Sequence, residues 1–144
     1  MALRERVAYL AGLFDGEGCI QVRQGGTGRT TERTFRLEIS VTNTDMALLD
    51  FCATFGGSIQ SNNAVSRIVR GWRRQWNWRV YGQEAINLLA IIEPFLRGSK
   101  RCQAQMAMEF WAQRDPNESR GRVSDEEYAL RLGYRLCLDH LRAS

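Results

Sequence analysis

Residues 3–16 (LRERVAYLAGLFDG) present two apolar faces of opposite character, and any fold for this chain has to satisfy both. Val7, Leu10, Leu13 and Phe14 are spaced to bury one side of a helix. Ala8, Gly12 and Gly16 recur every four residues along a second stripe, where no side chain exceeds a methyl group. Such a stripe lets another backbone approach closely, a geometry best known from membrane helices. Gly12 costs helix stability on the order of 1 kcal/mol relative to Ala, and close packing against a partner would explain its presence.

The rest of the chain alternates between strand and helix signals. Ile20 and Val22 point one way in a short strand over 19–23, and residues 24–32 form a Gly- and Thr-rich loop. Phe35, Leu37, Ile39 and Val41 then alternate with polar residues over 33–42, which predicts an antiparallel pair with one buried face. Thr44 is the expected N-cap of a helix over 45–55, closed by Gly56-Gly57. A second strand pair is expected over about 58–70 and 72–81, with Trp76, Trp78 and Val80 on one face. Helices follow over 83–92 and over 99–113, the latter capped by Ser99. A polar linker over 114–123 leads to a final helix over 125–142, opened by a Ser124/Glu127 capping box. This order predicts an α+β domain: a four-stranded antiparallel sheet backed by helices. The 144 residues suit one domain, with a core over 1–113 and an appended linker and helix over 114–144.

Composition excludes several classes of function. With a single histidine, His140, and cysteines dispersed at 19, 52, 102 and 137, no zinc or redox spacing exists. The cysteines read as small buried hydrophobes, and any metal site must be built from oxygens. No apolar run is long enough to span a bilayer, and the N-terminus lacks a signal-peptide pattern. An intracellular protein is expected, in a bacterial cytoplasm or an organelle, with no membrane and no small-molecule substrate.

The net charge of +4 is unevenly placed: residues 19–82 hold nine arginines against four acids, and the flanking segments show no positive excess. Clustered positive charge is the footprint of a polyanion binder. The sheet face turned away from the core collects Gln21, Arg23, Arg36, Glu38, Ser40, Arg73, Gln75, Asn77 and Arg79. Gln24, Arg29, Arg33, Arg67, Arg70 and Arg74 stand in the adjoining loops. Arg, Gln and Asn can bond base edges bidentately in the major groove, which also admits a β-ribbon. A merely solvated sheet face is the competing reading.

Asp15 and Glu17 close the first helix at the negative pole of its macrodipole, where carboxylates are disfavoured by a few tenths to about 1 kcal/mol. Two acids in such a place suggest a nearby cation, and hard oxygen donors suit Mg²⁺. An ordinary acidic turn is the alternative. Lys100 is the only lysine in the chain. It offers a compact charge with a tunable pKa, which Arg does not. It is otherwise an incidental residue at a helix start.

Leu10-Ala11-Gly12-Leu13-Phe14-Asp15-Gly16-Glu17-Gly18 strongly resembles the LAGLIDADG motif of homing endonucleases, and the likeness extends over about 1–113. The resemblance implies an αββαββα core whose sheet forms a saddle over the DNA major groove, with additional C-terminal helices. One motif in a short chain implies a homodimer, with Ala8, Leu10, Ala11, Gly12, Phe14, Asp15 and Gly16 at the interface of two motif helices. It places the metal-binding acid at Glu17, joined by the Gly16 carbonyl, and implies Mg²⁺, with Mn²⁺ able to substitute. Asn43, in Val41-Thr42-Asn43, and Lys100, after Pro94-Phe95-Leu96, fall where relatives keep catalytic polar and basic residues. Where many relatives carry a further basic residue, one turn after the Asn43 position, this chain has Ala47. The implied activity is metal-dependent double-strand cutting of a long pseudo-palindromic DNA site. A non-cleaving regulator or an RNA-binding intron maturase on the same fold is the alternative.

Overall fold

The computed structural model describes residues 1–25, 33–61, 69–71, 73–118 and 123–143. Among them run helix α1 (Leu3–Glu17), strands β1 (Gly18–Gln24) and β2 (Phe35–Asn43), helix α2 (Met46–Ala53), and strands β3 (Ser58–Ser61) and β4 (Trp76–Tyr81). Helix α3 (Gly82–Ile92), a 3-10 turn (Glu93–Phe95), and helices α4 (Lys100–Gln113) and α5 (Asp125–Ala143) complete the order. The strands form one antiparallel sheet in the order β1-β2-β4-β3. This is the α+β architecture expected from the alternating pattern.

The pairing register explains the burial. Ile20 faces Ile39, Val22 faces Leu37, Ile39 faces Val80 and Val41 faces Trp78. These side chains therefore share one side of the sheet, where the helices cover them. Val7, Leu10, Ala11 and Phe14 of α1 meet them there, together with Leu88, Leu89 and Ile92 of α3 and Phe110 of α4. Trp78 is fully buried, and its indole N–H donates to the Gly56 carbonyl at 2.8 Å. That bond ties the turn after α2 to the sheet centre. At Gly57 φ is +75° and a Cβ would lie 2.5 Å from the Arg79 carbonyl, so only glycine fits.

Helix α1 passes into β1 without a loop. Gly18 is extended at φ −79°, and its N–H donates to the Phe14 carbonyl. A Cβ at Gly18 would overlap the Phe14 ring and carbonyl, so the helix turns into the strand only with glycine at this position. The acidic end of α1 is consequently held at the rim of the sheet.

Several local expectations change. Asp45, not Thr44, caps α2: its carboxylate accepts the Ala47 N–H at 3.0 Å. Ser99 occupies the N-cap position of α4 without a side-chain capping bond. Half of the Ser124 capping box forms, with the Ser124 hydroxyl accepting the Glu127 N–H at 3.2 Å. The Glu127 carboxylate turns instead to the Asp115 N–H (2.7 Å) and to Arg131 (3.0 Å). Arg131 also donates to the carbonyls of Asp115 (2.8 Å) and Glu118 (2.6 Å). This buried pair fastens the linker to α5, which packs on α4 and β1 through Leu138 and a Phe110–Tyr134 edge contact. The cysteines are not uniformly buried. Cys52 is buried and its thiol is pushed up to about 11 by burial, whereas Cys102 and Cys137 are exposed.

Candidate nucleic-acid interface and acidic helix end

Opposite the core, the register sets out rows of polar side chains. Cys19, Ser40, Arg79 and Ser58 form one row, Gln21, Glu38 and Tyr81 the next, and Thr42, Asn77 and Gln60 a third. Arg23 faces Arg36 at the far end. Seven expected DNA-contacting residues thus share the face: Gln21, Arg23, Arg36, Glu38, Ser40, Asn77 and Arg79.

Their contacts are ordered. Arg36 lies over the Tyr81 ring at 4.5 Å. Arg23 Nε donates to Gln21 Oε1 at 2.9 Å, and an Arg79 Nη donates to Gln60 Oε1 at 3.3 Å. Both guanidinium groups stand 3.7 Å from the Glu38 carboxylate. Glu38 is only 2 % exposed, so it supports its neighbours rather than offering itself to a ligand. Asn77 is also buried, accepting a short hydrogen bond from the Thr42 hydroxyl. Gln60 and Tyr81 join the face. Gln60 was legible in the short Ser58–Ser61 alternation, where Ile59 turns inward.

Two expected contacts point elsewhere. Gln24 has the core-side parity of β1, and its side-chain oxygen accepts from Arg135 of α5 at 2.7 Å. Arg33 pairs with Asp125 at 2.6 Å, donates to the Val123 carbonyl and lies over the Tyr128 ring at 5.0 Å. Both dock the C-terminal helix, whose sequence gave no contact partner to read from. Arg70, Arg73 and Arg74 are exposed and Gln75 is half-buried on the approach to β4. Arg29 and Arg67 lie outside the described residues. Arg135 and Arg142 line a cleft beside Gln21 and Arg23, and both pair there with Asp139.

At the end of α1, Glu17 is exposed, with no basic residue in the helix's last turn. The Asp15 carboxylate accepts the N–H groups of Arg97 (2.9 Å) and Gly98 (3.2 Å). Lys100 Nζ donates to the Asp15 carbonyl at 3.0 Å. Glu93 holds the far side of the same turn, accepting from Arg101 and Gln105 at 3.0 Å each. The hydrogen bond from Arg101, then that from Gln105, lowers the Glu93 carboxyl below its ordinary value. Lys100 is therefore held against the end of α1 through the Asp15 carbonyl, on a turn that the Asp15 and Glu93 carboxylates fasten through its backbone and neighbouring side chains.

Gly18 pairs with Val41, so Asn43, two residues along β2, lies level with the end of α1. Its side-chain oxygen accepts the Asp45 N–H at 2.8 Å, which leaves the side-chain amide NH₂ for other work. The oxygen donors at this end suit a hard divalent cation. Among the described residues, no three His, Cys, Asp or Glu side chains converge.

Only some of the α1 residues expected at an interface lie at the surface. Leu10, Ala11 and Phe14 are fully buried in the chain's own core and have no surface to offer a partner. Ala8, Gly12 and Gly16 are exposed, and a Cβ at Gly12 or Gly16 would meet nothing within 4 Å. Among the described residues, no packing accounts for either glycine. Asp15 is half-buried and spends its carboxylate on the 97–98 backbone.

Among the described residues, no helix is long and apolar enough to cross a membrane. No curated protein matches this sequence. Solved structures share the fold at low identity. The homing endonuclease I-CvuI, solved with the I-CreI target DNA, is 19% identical, covering 96% of this chain and 82% of its own, at TM-score 0.74. The archaeal intron-encoded homing endonuclease I-Vdi141I, complexed with DNA, is 16% identical over 95% and 84% of the two chains, at TM-score 0.72. The I-SmaMI LAGLIDADG homing endonuclease, bound to cleaved DNA, is 18% identical with TM-score 0.60; the match takes in 96% of this chain and 46% of the other. The LAGLIDADG-like domain model matches residues 4–97, from the first turn of α1 through the loop held by Asp15, and the chain belongs to that family.

Proposed function

We propose that this chain is one half of a homodimeric, divalent-metal-dependent endonuclease that cuts both strands of a long pseudo-palindromic DNA site. The observation that carries this reading is that the chain's one lysine is bonded to the Asp15 carbonyl, at the same helix end that carries the exposed Glu17. A protein that only binds DNA has no need of that arrangement. The exposed, unfilled stripe of Ala8, Gly12 and Gly16 supports close approach of a second α1. Such approach would bring two copies of Glu17 together. Longer relatives support the same stoichiometry, since this chain spans under half of I-SmaMI.

Glu17, joined by the Gly16 carbonyl, would hold Mg²⁺ or Mn²⁺, which supplies a water nucleophile of lowered pKa and charge stabilisation at the phosphate. Lys100 offsets negative charge developing on the phosphate, and the amide of Asn43 orients the attacking water. The sheet faces read one half-site each, because a two-fold protein matches a two-fold site. Arginines in the loops beside the sheet would also neutralise phosphates and make affinity salt-dependent.

The test is selection of duplexes from a random library in Ca²⁺, followed by addition of Mg²⁺ to the bound pool. Double-strand cuts that disappear in Glu17→Gln are expected. Specific binding without cutting in Mg²⁺ or Mn²⁺ would overturn the nuclease reading and leave a regulator or maturase on the same fold.

A further inference from the structure

Glu38 stands at the centre of the polar sheet face, on the middle strand β2, yet it is only 2 % exposed. It is the only acid in the rows that the strand register lays out on that face. Its two oxygens address two arginines from different strands: Oε2 lies 3.7 Å from Arg23 Nε on β1, and Oε1 lies 3.7 Å from Arg79 Nε on β4. At 3.7 Å these are ion pairs without hydrogen bonds, and among the described residues neither Glu38 Oε2 nor Arg79 Nε has a hydrogen-bond partner. The arginines are thus aligned by charge while their hydrogen-bonding capacity is not used up on the carboxylate. Each has one neutral amide partner, Gln21 for Arg23 and Gln60 for Arg79.

Resting on the reading that this face binds DNA, we propose that Glu38 is a positioning residue that sets sequence discrimination. It holds Arg23 and Arg79 in fixed forks suited to base edges and withholds them from indiscriminate phosphate contact. Two physical effects act together. An arginine already ordered loses less freedom when it meets a base, so a matched site gains relative to a mismatched one. A carboxylate beneath the duplex repels every DNA alike, and only sites that return good bidentate contacts overcome that repulsion.

The experiment compares wild type with Glu38→Gln, as the full chain in Ca²⁺, by fluorescence anisotropy on the selected duplex and on a random duplex across a salt series. Glu38→Gln is expected to tighten random-duplex binding about 5-fold and to lower the selected-to-random ratio about 10-fold. The log–log salt slope on random DNA should steepen by about one to two, as freed arginines take phosphates. A buried acid with a purely structural role would change thermal stability and leave both the ratio and the slope alone, and that result overturns the proposal. Should Glu38→Gln not fold, Arg79→Lys keeps the charge and loses the fork. It is expected to lower the ratio with the slope unchanged, and an unchanged ratio overturns the proposal too. Failure of the underlying reading looks different: wild type itself would not distinguish the two duplexes.

Discussion

Lys100 Nζ donates to the backbone carbonyl of Asp15 at 3.0 Å, across 85 residues of sequence. The bond joins the first residue of α4 to the last turn of α1, so the chain's one lysine is fixed at the helix end that carries Glu17. The Asp15 carboxylate meanwhile grips the backbone just before Lys100. One residue therefore positions the lysine twice.

Lys100→Met should leave DNA binding in Ca²⁺ within a few-fold of wild type and reduce single-turnover cleavage about 10²-fold or more, the scale seen when a charge-stabilising donor is removed. The lost hydrogen bond should cost about 1 kcal/mol of stability. Lys100→Arg should not restore the rate, because a planar guanidinium cannot occupy the place of a compact ammonium. Quenched-flow cleavage with parallel gel-shift titration separates the two effects.

Gly12→Leu should fold, since a side chain there enters open space within the chain. It should even gain helix propensity, by about 1 kcal/mol. It should also abolish self-association by blocking the approach of a second α1. Sedimentation velocity reads the outcome directly. A Gly12→Leu protein that still dimerises would place the two-fold interface elsewhere.

Arg131→Met removes one member of a buried ion pair and leaves Glu127, at 8 % side-chain exposure, without its partner. Breaking such a pair costs about 3–5 kcal/mol. The carbonyls of Asp115 and Glu118 lose their donor as well. A lower melting temperature is expected, with amide exchange accelerated first in 114–118 and α5.

Thiol labelling should be graded. Cys102 and Cys137 are exposed and should react promptly with a disulfide reagent. Cys52 should react only on unfolding, because burial hides its thiol and pushes it up to about 11, where almost no thiolate exists at neutral pH. Prompt labelling of Cys52 in the native protein would show that α2 is not seated on the sheet.

Glu93 is held below its ordinary value by Arg101 and then Gln105, so its contribution is present above that ordinary value. It is lost as pH falls through the lowered one. Glu93→Gln should therefore lower the melting temperature at neutral pH, with the difference from wild type vanishing under strong acid. A pH series of thermal melts checks the sign.

The sequence by itself determined the elements and the faces. Alternation over 35–43 and 76–81 and the spacing of Val7, Leu10 and Phe14 are local patterns, and one buried side per element suffices to read them. The motif over 10–18 likewise puts Glu17 at a helix end. Only the tertiary structure decided how the polar groups are shared out. Leu10, Ala11 and Phe14 belong to the inner core because α3 and the sheet cover that side of α1, leaving Gly12 and Gly16 outside. Gln24 and Arg33 serve the C-terminal helix because α5 returns to β1 across more than a hundred residues. Glu38 became the buried support of two arginines through cross-strand register, and Lys100 met Asp15 through the packing of α4 on the loop beyond α3. Hydrogen bonds and ion pairs of this kind depend on distances between residues far apart in the chain, and periodicity in a sequence carries no record of them.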